Sequence, residues 1–272
     1  MHYLTFAGYR YDMQGVCEYM LVGPCDNSRM PSVHVRNEPW GTRPVSVTQA
    51  VAISVPGLGV FELFRDVAAN RFNGNPLGVL PLVFPNGVTV VNTVPARPAD
   101  ITVSIPGWGR VHWDGGYNVE VTLEAGMFAQ GVCGLCGSGV SATADQDVVP
   151  RLDYWHVDDR DITPIFTDSL SAECNAVPPD PVECTEAELQ EAREYCRVLQ
   201  NTTLYGEHAS QAAYADCVLD VCNGVDGCAV IKQFEARLTA QGLTFTSVVD
   251  ECGECFGSGL SCGAMCSASG DR

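Results

Sequence analysis

Lysine is almost absent from this chain of 272 residues, which contains Lys232 against fourteen arginines and 33 acidic residues. The formal net charge is −18, and residues 145–272 carry most of it, with 23 acidic and 7 basic side chains. A field of this sign repels nucleic acid and anionic membrane surfaces. We therefore expect no nucleic-acid partner.

Long apolar runs are lacking as well. No uninterrupted apolar stretch reaches the length that spans a membrane, so no membrane insertion is expected. The residues after Met1 show neither the basic nor the apolar region of a signal peptide, and His2 to Tyr11 already has the pattern of a strand. If the protein is secreted, this sequence is then a mature or truncated form.

Cysteine is abundant. Fourteen cysteines, an even number, are spread along the chain, which favours disulfides in an oxidising compartment over cytosolic thiols. The alternative is a zinc-rich intracellular protein. The length and the 46% hydrophobic content suffice for one large β domain and a smaller second domain.

The first half of the chain has the pattern of short strands separated by turns. Apolar residues keep one parity across Pro44–Val55, with Gln49 as the exception. Pro-Gly, Asn-Gly and Asp-Gly pairs separate this segment from further strands, predicted over Val88 to Val91, Ile101 to Ile105, Val111 to Trp113 and Val119 to Leu123. Regular short strands of this kind indicate an antiparallel β-sandwich.

The second half changes character after a proline-rich linker, residues 175–183. Thr185 and Glu188 have the spacing of a capping box, which predicts that a helix begins there. Further helices are predicted over Ser210–Cys222 and over Ala229–Gln241, with Gly242 as C-cap. The fold class is therefore mainly β, a sandwich followed by a small α-helical disulfide-rich domain.

Two distant groups of motifs carry a family resemblance. They are His2-Tyr3-Leu4-Thr5-Phe6, Tyr9-Arg10-Tyr11-Asp12-Met13-Gln14-Gly15 and Cys17-Glu18-Tyr19 at the start, and Gly131-Val132-Cys133-Gly134-Leu135-Cys136-Gly137 downstream. Val33–Pro39 and Pro44–Thr48 add to the match. In this order and separation they resemble the von Willebrand factor type D domain.

The segment after the linker resembles the eight-cysteine module that commonly follows a type D domain. Six cysteines fit its pattern: Cys184, Cys196, Cys217, Cys222, Cys228 and Cys252. Glu207 and either Gln241 or Gly242 stand where two further cysteines are expected. The predicted domains are then a type D domain at 1–174, the linker at 175–183, a degenerate eight-cysteine module at 184–252 and a cysteine-rich tail at 253–272.

The type D resemblance implies a disulfide pairing. Cys25 should pair with Cys133 and Cys17 with Cys174, while the family partner of Cys136 lies upstream of the first strand. Cys136 is then expected to pair with one cysteine of the second half, in the tail from Cys252 to Cys266, or else with a neighbouring chain. The remaining cysteines expected in disulfides are Cys184, Cys196, Cys217, Cys222, Cys228, Cys252, Cys255, Cys262 and Cys266.

The resemblance also bears on calcium, because type D domains often hold an ion near the first hairpin and the loop after the second CGLC cysteine. Calcium requires six to eight oxygen ligands. Here Ala7, Ser138 and Val140 replace family ligands, and Asp145 and Asp147 remain. The loop is therefore degenerate, and we expect neither a metal ion nor another cofactor.

Other chemical signals are weak. Cys133 and Cys136 have the spacing of a redox pair, and Cys252, Cys255, Cys262 and Cys266 could in principle hold zinc, but structural bridges are the favoured interpretation. The hydrolase-like elbow around Ser261 has no histidine after it, and the five histidines and four tryptophans are isolated. Asn201 begins the glycosylation sequon Asn201-Thr202-Thr203.

These observations indicate a secreted, extracellular structural or assembly module of a matrix, mucus, coat or filament, which is not an enzyme. Its partners would be other proteins or copies of itself. Two alternatives remain open. Some secreted luciferases are built on type D domains with a similar helical follower, and extracellular growth-factor antagonists are regulatory binding modules.

Overall fold

The structure, a computed structural model, describes residues 1–26, 29–39, 45–116, 118–141, 143, 155–157, 162–168, 184–240, 242–250 and 254–257. It is mainly β, with antiparallel sheets in the first part of the chain and helices in the C-terminal part. The chain divides into two compact units, Met1–Asp180 and Pro181–Arg272. The division falls within the predicted linker, and the exact domain boundaries stay predictions.

The first unit contains fourteen strands among the residues described. In chain order they are β1 His2–Leu4, β2 Arg10–Asp12, β3 Cys17–Pro24, β4 Ser32–Pro39, β5 Ser46–Val55, β6 Gly59–Phe64, β7 Arg71–Phe72, β8 Asn75–Pro76, β9 Leu82–Val83, β10 Thr89–Asn92, β11 Ile101–Ile105, β12 Gly109–Trp113, β13 Val119–Leu123 and β14 Val132–Cys133. Short 3-10 turns lie at Val67–Ala69 and Ala125–Gln130. The strands predicted over 101–105 and 119–123 have the predicted bounds.

The strands form three antiparallel sheets. A hairpin joins β1 and β2, a five-stranded sheet has the order β13-β12-β11-β10-β9, and a seven-stranded sheet has the order β14-β3-β4-β5-β6-β7-β8. The apolar residues of one parity from the two larger sheets share a single buried core, which includes Val35, Val51, Phe61, Val103 and Trp113. Alternation along each strand therefore sends one face into this core.

The predicted parity across Pro44–Val55 is wrong at one point. The pairing of β4 with β5 shifts at Gln49, because Asn37 lies opposite Thr48 whereas Arg36 lies opposite Ala50. Gln49 is thus the extra residue of a β-bulge, which moves the alternation by one position. Thr48 before the bulge is buried and its hydroxyl donates to Asn37 Oδ1 at 3.2 Å.

The second unit contains four helices among the described residues. They are α1 Glu186–Cys196, α2 Thr202–Tyr205, α3 Gln211–Cys222 and α4 Gly227–Ala240, with 3-10 turns at Arg197–Gln200 and Gly206–His208. Ala192, Leu199, Cys217, Ile231 and Phe234 belong to their shared buried core. No helix in the part of the chain that the structure describes combines the length and apolar character needed to cross a bilayer.

Candidate functional site

A long-range disulfide fastens the edge of the seven-stranded sheet. Cys25 directly follows β3, and β14 pairs with the end of β3, so that Cys133 lies opposite Gly23. Cys25 and Cys133 are bonded across 108 residues of sequence, which is the pair that the resemblance implies. Because Cys133 is bonded to Cys25, it does not form a redox pair with Cys136. Cys17 is also disulfide-bonded, and its expected partner, Cys174, lies outside the described residues.

The loop after Cys133 is fixed between β3 and the first hairpin. The amide of Cys136 donates to the Leu21 carbonyl at 2.9 Å, and the Cys136 carbonyl accepts from the Phe6 amide at 2.9 Å. Gly134 has φ +125°, and a Cβ there would lie 2.6 Å from the Leu21 oxygen. Only glycine can therefore bring the loop this close to β3. Leu135, which lies between Gly134 and Cys136 in the sequence, is fully buried.

The positions that replace calcium ligands flank this loop. Ala7 lies in the turn between β1 and β2, and the Val140 side chain is 77% exposed. Neither side chain offers an oxygen, and the Val140 amide donates to the Ser138 hydroxyl at 3.4 Å. Asp145 and Asp147 lie outside the described residues. The absence of calcium stays a prediction.

Two buried carboxylates on the seven-stranded sheet are residues that sequence reasoning missed. Glu18 on β3 and Glu62 on β6 have no exposed surface. Both alternate with core residues and therefore lie on the outer face of the sheet, where a charged residue is normally solvated. Glu18 Oε1 lies 2.6 Å from His34 Nδ1 and accepts from the Ile165 amide at 3.0 Å. Glu62 accepts from the Thr167 amide and hydroxyl, each at 2.7 Å.

Residues 162–168, which we call the strap, contribute to this burial. Phe166 is 6% exposed and packs on Ala50 and Ala52, two small residues on the outer face of β5. The Arg36 guanidinium lies 4.1 Å from the centre of the Phe166 ring and donates to Asp168 at 3.0 Å. The strap thus covers the sheet through one aromatic contact, two buried carboxylates and one ion pair.

The three strand histidines have carboxylate neighbours. His2 Nδ1 lies 2.6 Å from Asp12, and His112 Nε2 lies 3.0 Å from Asp100. The hydrogen bond from His2 is the main reason that the pKa of Asp12 is below its usual value. His34 has the contact with Glu18 described above. All three contacts are side-chain hydrogen bonds within the first unit.

Three disulfides lie within the second unit. They join Cys184 to Cys222, Cys196 to Cys217, and Cys228 to Cys255. The last pair removes Cys255 both from a four-thiolate zinc site and from the candidate partners of Cys136. Cys252, Cys262 and Cys266 lie outside the described residues, so their pairing stays a prediction.

A buried carboxylate also organises the second unit. Glu235 on α4 is 6% exposed and accepts from the Tyr205 hydroxyl at 2.8 Å and from the Val248 amide at 2.9 Å. Ser247 makes a further hydrogen bond to it. Burial, together with the neighbouring carboxylate, raises the pKa of Tyr205. The segment after α4 is thereby attached to the helical core.

The sequence profile of the von Willebrand factor type D domain matches residues 1–147, a range that begins before β1 and includes β14 and the CGLC loop. The chain belongs to the von Willebrand factor type D family. The type D match ends before the second unit begins, so the eight-cysteine resemblance of that unit stays a proposal.

Several known proteins are similar to this type D chain. The IgGFc-binding protein of Homo sapiens is 32% identical over 148 residues, 53% of this chain and 3% of that protein. Zonadhesin of Homo sapiens is 30% identical over 139 residues, 50% of this chain and 5% of zonadhesin. Hemocytin of Bombyx mori is 26% identical over 238 residues, 84% of this chain and 7% of hemocytin. The chain therefore spans only a small part of the length of these relatives.

Proposed function

We propose that the chain is a secreted structural and assembly module, a type D unit whose partners are other proteins or copies of itself. The observation that carries the proposal is the Cys25–Cys133 bridge, which closes a loop across 108 residues and fixes the CGLC loop against β3. A bridge that closes so long a loop stabilises a folded unit strongly. Disulfides of this kind persist in oxidising, extracellular surroundings.

Two finer features of the fold belong to this proposal. The five-stranded and seven-stranded sheets contribute to one core, which supports a β-sandwich in the first unit. The bridges Cys184–Cys222 and Cys196–Cys217 join cysteines of the proposed eight-cysteine module, whereas Cys228 is bonded to Cys255 of the predicted tail, so the proposed module extends at least to Cys255. The surface of each unit would keep a fixed shape, because disulfides within that unit hold its loops in place.

The relatives support an extracellular structural function. Type D relatives include zonadhesin, hemocytin, SCO-spondin of Gallus gallus and mucin-6 of Mus musculus. They are extracellular matrix, mucus and adhesion proteins. By analogy we propose that this chain contributes a protein-contacting surface to an extracellular assembly and performs no catalysis.

The acidic second half influences which contacts form. Residues 145–272 hold most of the −18 formal charge, and such a field repels identical surfaces and attracts basic ones. Copies of the chain would therefore associate more readily when salt screens the repulsion. A basic extracellular protein would instead bind more tightly at low salt.

The test is the mass of the full chain in solution. The chain is secreted from eukaryotic cells behind a heterologous signal peptide, and light scattering is recorded across roughly 1–100 µM at low and high salt. We expect a mass that rises with concentration and rises more at high salt. A non-reducing gel separates covalent from non-covalent association. A chain that stays monomeric throughout would contradict the assembly function. Light emission with added luciferin would then support the luciferase alternative. Capture of one basic growth factor that weakens with salt would support the regulatory binding module.

A further inference from the structure

An open groove in the second unit adjoins the glycosylation sequon. It has a volume of about 430 Å³ and is bordered by Tyr195, Arg197, Val198, Asn201 and Phe256 among its lining residues. Grooves of this size accommodate small organic ligands. The sequon asparagine is therefore part of the groove wall, and a group attached to it would begin at the groove.

The sequon lies at the surface of the second unit. Asn201, Thr202 and Thr203 are all exposed. Asn201 Oδ1 accepts from the Thr203 amide at 2.9 Å, which fixes the side chain as the N-cap of α2. Among the residues that the structure describes, no acceptor engages Asn201 Nδ2. This nitrogen is thus oriented and accessible.

Phe256 is the second observation, independent of the sequon. Its side chain is 55% exposed although it is large and apolar. Its backbone has φ +59°, a left-handed conformation that costs free energy for a bulky residue. The conformation is held from both sides, because the Phe256 amide donates to the Val248 carbonyl at 2.8 Å and the preceding Cys255 is bonded to Cys228. A strained backbone here holds an aromatic ring at the groove.

The Phe256 ring also packs against a second aromatic side chain. Tyr195 on α1 contacts it edge to face, with ring centres 5.7 Å apart and an angle of 83°. Phe256 remains 55% exposed and lines the groove. An aromatic face of this kind suits a partner with one apolar surface and polar edges. A pyranose ring has that character, because its axial C–H groups form a flat apolar face and its hydroxyls lie at the rim.

We propose that Asn201 carries an N-linked glycan and that the first N-acetylglucosamine lies in this groove against Phe256. Arg197 and Glu194 at the groove wall offer a donor and an acceptor to the acetamido and hydroxyl groups. The glycan would cover the exposed ring and join α1 to the segment around Cys255. This would explain both the exposure of Phe256 and the backbone conformation that presents it.

The modification itself is redox-neutral. Asn201 Nδ2 displaces the diphosphate from C1 of the first sugar of a lipid-diphosphate-linked oligosaccharide, the donor that the secretory pathway supplies. The N–C1 bond forms, the C1–O bond to phosphate breaks, and the lipid diphosphate leaves with the electron pair. One Nδ2 proton passes to the base of the transferase.

The first experiment tests occupancy of the sequon. It rests on secretion, which a heterologous signal peptide imposes on the full chain, so its result does not depend on whether the chain assembles. Intact mass before and after peptide-N-glycosidase should show one glycan on the natural sequence. Thr203→Ala should remove it, whereas Thr202→Ala, the matched control, should retain it. A secreted natural chain without a glycan at Asn201 overturns the proposal.

The second experiment tests the position of the sugar. Phe256→Gly removes the ring, and because glycine accepts a positive φ it does not threaten folding. Because the glycosidase leaves aspartate at position 201 in either chain, the difference between the chains reports on the ring. Removal of the glycan should lower the Tm of the second unit by about 3–6 °C more with Phe256 present than in Phe256→Gly. Under native conditions the glycosidase should also act several-fold faster on Phe256→Gly.

Two further variants complete this test. Phe256→Tyr keeps an aromatic face and should behave like the natural chain. Leu219→Ala removes a partly exposed apolar side chain on α3 that does not line the groove. It should change neither the Tm loss caused by deglycosylation nor the rate at which the glycosidase acts. Equal effects of deglycosylation with and without the Phe256 ring would show that the sugar does not lie on it, whatever the occupancy of Asn201.

Discussion

At the scale of single residues, Glu18 and Glu62 show how differently two buried carboxylates can be accommodated. Both oxygens of Glu62 accept hydrogen bonds from Thr167. Glu18 concentrates its contacts with His34 and Ile165 on Oε1, and Oε2 has no partner among the described residues. A buried polar atom without a partner costs free energy, so the bonds at Oε1 must compensate for it.

We predict that Glu18→Gln lowers the free energy of unfolding by about 2–3 kcal/mol. The neutral amide weakens the contact with His34 and puts a donor where Oε2 has no acceptor. The urea midpoint of the first unit measures the effect. His34→Gln should cost a similar amount, and the double variant should cost about 1 kcal/mol less than the sum, because the two side chains act on each other. Strictly additive costs would mean that the two groups are independent.

Asp12 gives a prediction about pH. The hydrogen bond from His2 lowers the pKa of Asp12 in the folded chain. A depressed pKa contributes stability above the unfolded value of about 3.9, and this contribution is lost as the pH falls through the folded value. The Tm of the natural chain should therefore fall more steeply below about pH 4 than that of Asp12→Asn.

The effect of Asp12 should be modest, because its side chain is 51% exposed and solvent screens the contact. Adding about 1 M salt to the same Tm series should bring the two curves together. If the curves of the natural chain and Asp12→Asn are parallel down to pH 2 at low salt, the His2–Asp12 contact does not persist in solution.

At the scale of elements, the ends of helices were predictable because they depend on neighbours in sequence. The predicted capping box at Thr185 is present, since the Glu188 amide donates to the Thr185 hydroxyl oxygen and the Glu188 carboxylate accepts from the Thr185 amide. The same holds after α4, where Gly242 has φ +70° and the Leu243 amide donates to the Leu238 carbonyl. Contacts across three to five residues are visible in the sequence itself.

Apart from the Cys25–Cys133 bridge, which the family resemblance implied, features that depend on distant residues were not predictable. The alternation along β3 and β6 correctly places Glu18 and Glu62 on the outer face, but residues more than 100 positions away contribute to their burial. The bulge at Gln49 follows from the pairing with β4, which the sequence of β5 does not contain. The bridges of the second unit were not assigned either, since spacing alone leaves many pairings possible.

The strap gives a prediction at the same scale. Phe166→Ala removes the ring that packs on Ala50 and Ala52 and lies beside the Arg36 guanidinium, and it should cost about 3–5 kcal/mol of local stability. In hydrogen exchange, the amides of Ile165 and Thr167 should lose protection while β11 and β12 keep theirs. These two amides are informative because each donates to a buried carboxylate.

The control for this experiment is Phe256→Ala, which removes an exposed phenylalanine of the second unit and should leave the strap protected. Protection lost uniformly across the first unit would mean that the strap and the sheets unfold together. Unchanged protection at Ile165 and Thr167 would mean that the carboxylates alone hold the strap.

At the scale of the whole molecule, the disulfides stabilise the two units separately. Among the described pairs, Cys25–Cys133 lies in Met1–Asp180, and the other three lie in Pro181–Arg272. The loops they close differ greatly in length, with 108 residues for Cys25–Cys133 and 21 for Cys196–Cys217. A bridge restricts the unfolded chain more when the loop is longer.

We predict that the two bridges contribute unequal free energies, each to its own unit. In the chain-entropy model, removing both cysteines by Cys25→Ser with Cys133→Ser should cost the first unit about 5 kcal/mol, and Cys196→Ser with Cys217→Ser should cost the second about 3 kcal/mol. Paired substitutions leave no odd thiol to exchange. Calorimetry without reductant should show two transitions, with only one lowered in each variant. If each variant lowered both transitions equally, the two units would unfold as one, and the long bridge would support the whole chain instead of the type D unit alone.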